Sequence, residues 1–355
     1  MLLNKDSISG IALDSAGLVA LADLSSIKQR TALMGSASYF DMLFLAPGIH
    51  TQQDCTGVNG GELPTAGDME NDYVFRIENP ATVSYLQGIG EPGRLITVQV
   101  ASNNLKRPSY MRYFDHLYIG GFIPSLLYFL GIALTIVCIV LLGVIRDFWA
   151  MAVLLLLLGA RAINTVVVMR RSVKGWTGAD EPDDQTGDLL IILSQDRWIR
   201  MHGTLDDLKA VTAGQWLRDL RPMESLAAAV AMLLVYVAAA LAINGSTVGN
   251  LIVAILLLIN AALLGVCNSF TKDLLMKGCK VYVTRRSEEY ERRSAMVKEM
   301  IGELRPSEDK TKWVTKMDLL SAATLKKCLD NPPTPDEKPS FSRGGTLSQV
   351  PNLIV

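Results

Sequence analysis

Residues 118–145 read YIGGFIPSLLYFLGIALTIVCIVLLGVI, and residues 148–168 read FWAMAVLLLLLGARAINTVVV, with only Arg146 and Asp147 between them. The first stretch carries no charge. A helix rises about 1.5 Å per residue, so roughly 20 apolar residues cross the hydrocarbon of a bilayer. Two such stretches in tandem predict two membrane helices joined by a tight turn. Further along, Ser225 to Ile243 and Val248 to Cys267 repeat the arrangement across Asn244-Gly245-Ser246-Thr247, an uncharged, turn-forming link. The expected fold is therefore a mainly α membrane protein built on a four-helix transmembrane bundle. A competing reading adds a fifth span near Thr31 to Ile49, but Ser36, Ser38 and Asp41 interrupt that stretch.

Orientation follows from the basic residues beside the spans. Lys106, Arg107 and Arg112 precede the first, Arg170, Arg171 and Lys174 follow the second, Arg218 and Arg221 precede the third, and Lys272, Lys277, Lys280, Arg285 and Arg286 follow the fourth. Arg146 is the single basic residue in the two short links. The bias places residues 1–112, 170–222 and 269–355 on the cytosolic side. Both termini are expected there, since Met1 to Gly10 lacks the basic-then-apolar profile of a signal peptide. Asn244-Gly245-Ser246 matches a glycosylation sequon, but so short a link does not hold an acceptor clear of a membrane.

Composition narrows the function classes. The 34 Lys and Arg balance 35 Asp and Glu, which supplies no field for nucleic acid. Cys55, Cys138, Cys267, Cys279 and Cys328 are scattered without a CxxC, and the three histidines lie apart from them, so neither a zinc site nor a cofactor is expected. Ser125, Thr135 and Cys138 have no base near them in sequence, and His116 and His202 fall outside the spans, which argues against an enzyme.

The flanking regions read as a small cytosolic α+β unit and a loop-rich, partly β amino-terminal region. In the latter, Val74 to Ile77 and Leu95 to Ala101 have strand character, and Gly57 to Gly67 reads as a flexible loop. Gly88-Ile89-Gly90-Glu91-Pro92-Gly93 matches GxGxxG, but Pro92 and the strand-like run behind it favour a hairpin turn over a dinucleotide site. In the link between the second and third spans, the acidic stretch Asp180 to Asp188 reads as a solvated loop. DLLIILS and RWIRMHG around Gln195-Asp196 predict a hairpin, and Thr204 predicts the cap of a helix running to about Leu220, with Leu208, Val211, Trp216 and Leu220 packing inward. Lys280 to Thr284 is expected to add a third strand to that hairpin. Helices are expected over Ser287 to Leu304, with Tyr290, Val297, Met300, Ile301 and Leu304 on one stripe, and over Met317 to Leu329. The segment 331–355, rich in Pro, Ser and Thr, is expected to be a disordered tail in which Ser340, Ser342 and Thr346 are phosphorylation candidates.

The combination of FWAMAVLLLLLGARAINTVVVMRR, SQDRWIRMHGTLDDLKAVTAGQWL and YERRSAMVKEMIGEL, with Trp313 beyond, resembles a family of multi-pass membrane proteins from filamentous fungi. The resemblance covers roughly residues 105 to 320 and implies a membrane location but no activity.

Inside the spans, Arg161 stands out, because a charge near the centre costs on the order of 2.5 to 3.5 kcal/mol on insertion scales. Asn164 shares its face and Asn260 sits midway along the fourth span. The three form a candidate intramembrane polar site for an anion or polar solute, or serve helix packing. Ala227, Ala231, Ala238 and Ala242 form a small-residue face for close helix approach, either to the fourth span or across a homo-oligomer. Cys267 and Cys279 are candidate palmitoylation sites. The leading functional expectation is a non-enzymatic adaptor, scaffold or regulator that binds a cytosolic protein partner, tolerates Arg161→Leu and fails when residues 280–330 are removed. The alternative is a small oligomeric channel or transporter using Arg161, Asn164 and Asn260, with the reverse sensitivities. Besides those partners, the lipid bilayer is the expected surrounding.

Overall fold

The structure, a computed structural model, describes residues 16–102, 121–172, 185–304 and 311–330. Four of its helices are long and apolar enough to cross a membrane. These are α4 (Phe122–Ile145), α5 (Phe148–Arg171), α7 (Pro222–Leu241) and α8 (Thr247–Phe270). Their ends are set by local chemistry. Arg146 closes α4 in the left-handed conformation at φ 59°. The Asp147 carboxylate then accepts the amide of Ala150 to cap α5, and it also accepts from the amide and hydroxyl of Ser246, the residue that caps α8. One carboxylate thus ties the two helix starts at the bundle's far end together.

The bundle is not the pair of tight hairpins that the short links predict. α5 packs chiefly on α7 and α4 on α8, while the helices joined by each link touch far less. The two pairs stand apart because amino-terminal chain lies between them. Helix α1 (Ala16–Leu21) fits between α7 and α8, and α2 (Ser26–Met34) lies along the end of α8. Gly17 meets the main chain of Ala239 so closely that a Cβ there would lie 2.6 Å from the Ala239 oxygen. At the other end, Asn268 donates to the Ser26 carbonyl (2.8 Å) and Arg30 to the Thr271 hydroxyl (3.0 Å). Residues 16–34 therefore run from near the far end of the bundle, where the short links lie, to the end beside the sheet.

Residues 39–50, YFDMLFLAPGIH, then turn back into the bundle as a 3-10 turn (Tyr39–Leu43), irregular chain, and the start of a second 3-10 stretch (Ile49–Gly57). Phe44, Leu45, Ala46 and Ile49 are buried among helix side chains. The Phe44 ring stacks on Tyr128 at 5.0 Å and covers Gly131, where a Cβ would lie 2.2 Å from the ring. The stretch weighed as a fifth span is thus no continuous helix.

Seven strands form one sheet in the order β2-β1-β4-β5-β3-β7-β6. They are β1 (Thr65–Asp68), β2 (Val74–Arg76), β3 (Arg94–Ser102), β4 (Thr186–Leu193), β5 (Arg197–Thr204), β6 (Leu274–Met276) and β7 (Cys279–Glu289). β4 and β5 make the hairpin expected around Gln195-Asp196, both of which adopt positive φ. The third strand expected beside that hairpin is displaced, because β3 from the amino-terminal region lies parallel to β5 and antiparallel to β7, between them. The amino-terminal region is accordingly part of the α+β unit rather than a separate loop-rich one. Side chains alternate in the usual two-residue period. Leu189, Ile191, Ile199, Met201, Ile96 and Val98 pack with α3 (Pro80–Ile89), α6 (Leu205–Thr212) and the buried end of α5. Leu190 and Trp198, on the opposite face, pack under α9 (Arg293–Leu304), α10 (Lys312–Lys316) and α11 (Ala322–Asp330).

Several local expectations change. Thr204 caps α6 through the Asp207 amide as expected, but the helix stops at Thr212, and Leu220 is exposed. Asn79 caps α3 and Pro80 opens it, so the GxGxxG glycines end a helix and lead into β3 instead of joining two strands. They open no helix, so they offer no amino-terminal seat for a pyrophosphate. Part of Gly57 to Gly67 is β1, and Asp188 belongs to β4, where it accepts from Arg200 (2.7 Å) and contacts the His202 ring nitrogen (2.9 Å). β7 extends through Glu289, so α9 starts later than expected, and Met317 to Leu329 is a turn followed by α11. Tyr118, Lys106, Arg107, Arg112, Lys174, the acidic residues 180–184 and the 331–355 segment lie outside the described residues.

Candidate functional site

Arg161 and Asn260 each sit ten residues from the sheet end of their helix, roughly 15 Å along its axis. The three polar residues each meet a different part of the returning segment 39–50 or the residues just after it. Arg161 Nε donates to the Asp41 carbonyl at 2.9 Å and Nη1 to Gln52 Oε1 at 2.6 Å. Asn164 Nδ2 donates to the Ile49 carbonyl at 2.8 Å, and Asn260 Nδ2 to the Leu45 carbonyl at 2.8 Å. Gln53 returns the contact, its Nε2 reaching the main-chain oxygen and Oδ1 of Asn164 at 3.2 and 3.1 Å.

The pattern has a plain physical cause. Irregular chain inside an apolar bundle carries carbonyls that no helix ladder satisfies, and each costs about 1–3 kcal/mol if left unmade. Asn260 satisfies the one at Leu45, while Arg161 and Asn164 add donors to the carbonyls of Asp41 and Ile49, which belong to 3-10 turns on either side. Burying the Arg161 guanidinium is offset by neutral acceptors and by a nearby polar cluster. In that cluster the Tyr128 hydroxyl donates to the Asp41 carboxylate, Asp41 also accepts the Ser38 amide, and Arg30 lies 5.5 Å from the Tyr128 ring centroid. Arg161, Asn164 and Asn260 are all at most 2 % exposed. Sequence reading missed Gln52, Gln53, Tyr128 and Arg30. Gln52, Gln53 and Arg30 flank the stretch rejected as a fifth span, and Tyr128 reads as one aromatic within the first span, so nothing in the sequence joins them.

A second junction lies where the bundle meets the sheet unit. Arg171 is buried; its Nε donates to the Arg218 carbonyl (2.8 Å) and its Nη1 to Gln53 Oε1 (2.9 Å). Arg218 pairs with the Glu224 carboxylate, which also accepts the Arg221 amide at 3.1 Å and so fixes the start of α7. Cys55, fully buried nearby, has its thiol pushed up to about 12 by desolvation.

The other candidates change standing. Ala231, Ala238 and Ala242 are buried within this chain, and Ala227 is half-buried against α5. Their face packs on α5 and, towards its far end, on α1, rather than on α8, because the small side chains let those main chains approach. It is thus not open as a homo-oligomer seam. Cys267 is fully buried with Sγ donating to the Pro124 carbonyl, and Cys279 is 4 % exposed with Sγ 3.3 Å from Asp207 Oδ1. Neither sulfur is presented for acylation. Among the described residues no His, Cys, Asp and Glu group could hold a metal ion.

In comparisons with known proteins, no family model, curated protein or solved structure matches this chain, and nothing among them bears on the resemblance to fungal membrane proteins.

Proposed function

We propose that this is a polytopic membrane protein that presents its seven-stranded sheet on the cytosolic side as a scaffold or adaptor for a protein partner. The observation that carries the reading is the commitment of Arg161, Asn164 and Asn260 to residues 41–52 of the same chain. The polar groups that a solute site would need are holding an internal segment in place. A second support is topological. The sheet is woven from chain before α4, between α5 and α7, and after α8, so all connecting chain on that side converges on one unit beneath the helix ends. Arg170, Arg171, Arg218, Arg221, Lys272, Lys277 and Lys280 cluster at that end against Arg146 at the other, which fits a cytosolic sheet.

The same reading revises the amino end. Residues 16–34 cross the bundle as a broken fifth pass, which puts Ala16 on the side opposite the sheet and not on the cytosolic side with the carboxyl-terminal region. An epitope inserted immediately before Ala16 and another at Glu288 should then need opposite conditions for antibody access in intact and permeabilised cells. Access to both under one condition contradicts the broken pass.

The two functional readings separate by co-purification and flux. Removing residues 280–330 is not a usable test, because it deletes β7 from the sheet interior. The scaffold reading predicts a stoichiometric protein partner in mild detergent that is lost on charge reversal at the exposed Arg285 and Arg286. The channel reading predicts solute flux in proteoliposomes of the pure protein. Flux without a partner would overturn the scaffold reading.

A further inference from the structure

α5 and α7 part at their sheet ends to leave a groove of about 310 Å³ on the bundle's outer surface. Its walls are apolar, with Ala162 and Val166 from α5 and Met223 and Ala227 from α7, and Arg170 and Glu224 stand at its mouth. The charges there do not cancel. Glu224 is spent on Arg218 and on the Arg221 amide. Arg171 bonds neutral oxygens of Arg218 and Gln53. Arg170 is exposed and makes no hydrogen bond or ion pair among the described residues. The mouth thus carries one exposed cationic side chain, Arg170, without a carboxylate partner among the described residues, at the depth where the apolar part of α5 gives way to Arg170 and Arg171 and hence where lipid phosphates would lie.

We propose that this groove is a binding site for one anionic phospholipid, whose phosphate pairs with Arg170 while one acyl chain lies along Ala162, Val166 and Ala227. The small side chains form the channel for the chain, and the uncompensated charge selects the headgroup, a guanidinium being suited to two parallel hydrogen bonds with phosphate. A second copy of this chain fits less well, because its cationic mouth would face another. The proposal rests on the reading that these helices span a membrane.

The test is native mass spectrometry of the full chain in mild detergent, titrated with phosphatidylglycerol or with phosphatidylcholine. One phosphatidylglycerol is expected to remain bound at collision energies that strip phosphatidylcholine. Arg170→Gln should weaken phosphatidylglycerol by about five- to tenfold and leave phosphatidylcholine unchanged. Ala227→Trp, which fills the groove, should weaken both. An anionic preference that survives Arg170→Gln, or retention that survives Ala227→Trp, overturns the site, as does displacement of the lipid by millimolar inorganic phosphate. Carbonate extraction of the wild-type chain from membranes separates the two failures, because release into the soluble fraction sinks the membrane reading itself.

Discussion

Asn260, midway along α8, donates its side-chain amide to the carbonyl of Leu45, 2.8 Å away, and so fastens to the bundle a residue 215 positions earlier in the chain. Replacing Asn260 with Leu keeps the number of side-chain heavy atoms but leaves that carbonyl unmet in an apolar interior. We expect a loss of about 1–3 kcal/mol, seen as a lowered midpoint in thermal or denaturant unfolding in detergent. Asn164→Leu should act the same way through Ile49. Midpoints unchanged in both variants would mean that the segment is not held by these bonds.

Gly131 gives a steric counterpart. A Cβ there lies 2.2 Å from the Phe44 ring, which is 1 % exposed and stacked on Tyr128. Gly131→Ala should cost about 1–3 kcal/mol, as overpacking does. Phe44→Leu should cost stability alone yet suppress part of the Gly131→Ala defect, a coupling that a double-mutant cycle reads directly. Strict additivity of the two changes would place Phe44 away from Gly131.

Asp147 is the tie at the far end, accepting from Ala150 of α5 and from Ser246 at the start of α8. Asp147→Ala should lower stability by about 1–2 kcal/mol, in the range of a lost cap. Asp147→Asn, which keeps one acceptor oxygen, should recover part of the loss. An alanine variant as stable as the wild type would contradict the cap geometry.

Much of this architecture was readable from sequence. The four long helices follow from uninterrupted apolar runs, and the β4–β5 hairpin and the Thr204 cap follow from local signals. Arg161, Asn164 and Asn260 were recognisable as misplaced polarity, but their partners were not. Residues 44–49 are buried among helix side chains, so their hydropathy need not resemble that of a span, and within a membrane-spanning bundle irregular chain is tolerated only when it is buried this way. The parallel pairing of β3 with β5 joins strands with two long helices between them, and no short-range pattern reports such a contact. Helix α3 was missed because its start, Asn79-Pro80, is a cap signal embedded between strand-like runs.

Cys55 supplies a pH dependence. Its thiol is raised from 9.0 to about 12 by burial, so the protonated form is the one the fold favours. The stability linked to it is fully present below 9.0 and is lost as pH rises from there through about 12. Alkylation of Cys55 in the folded protein should stay slow at pH 9 and accelerate only on unfolding, as followed by peptide mass spectrometry. Rapid labelling at pH 9 in the folded state would show that this junction is open to solvent.

The burial of residues 44–49 inside the helix bundle can be read with a photo-crosslinker placed at position 44. Phe44→p-benzoylphenylalanine keeps an aromatic side chain at that place, and irradiation of the protein in its membrane reports what surrounds it. A crosslink to the α4 peptide containing Tyr128 and Gly131 is expected. Crosslinks to lipid acyl chains alone, or to sheet peptides, would contradict it.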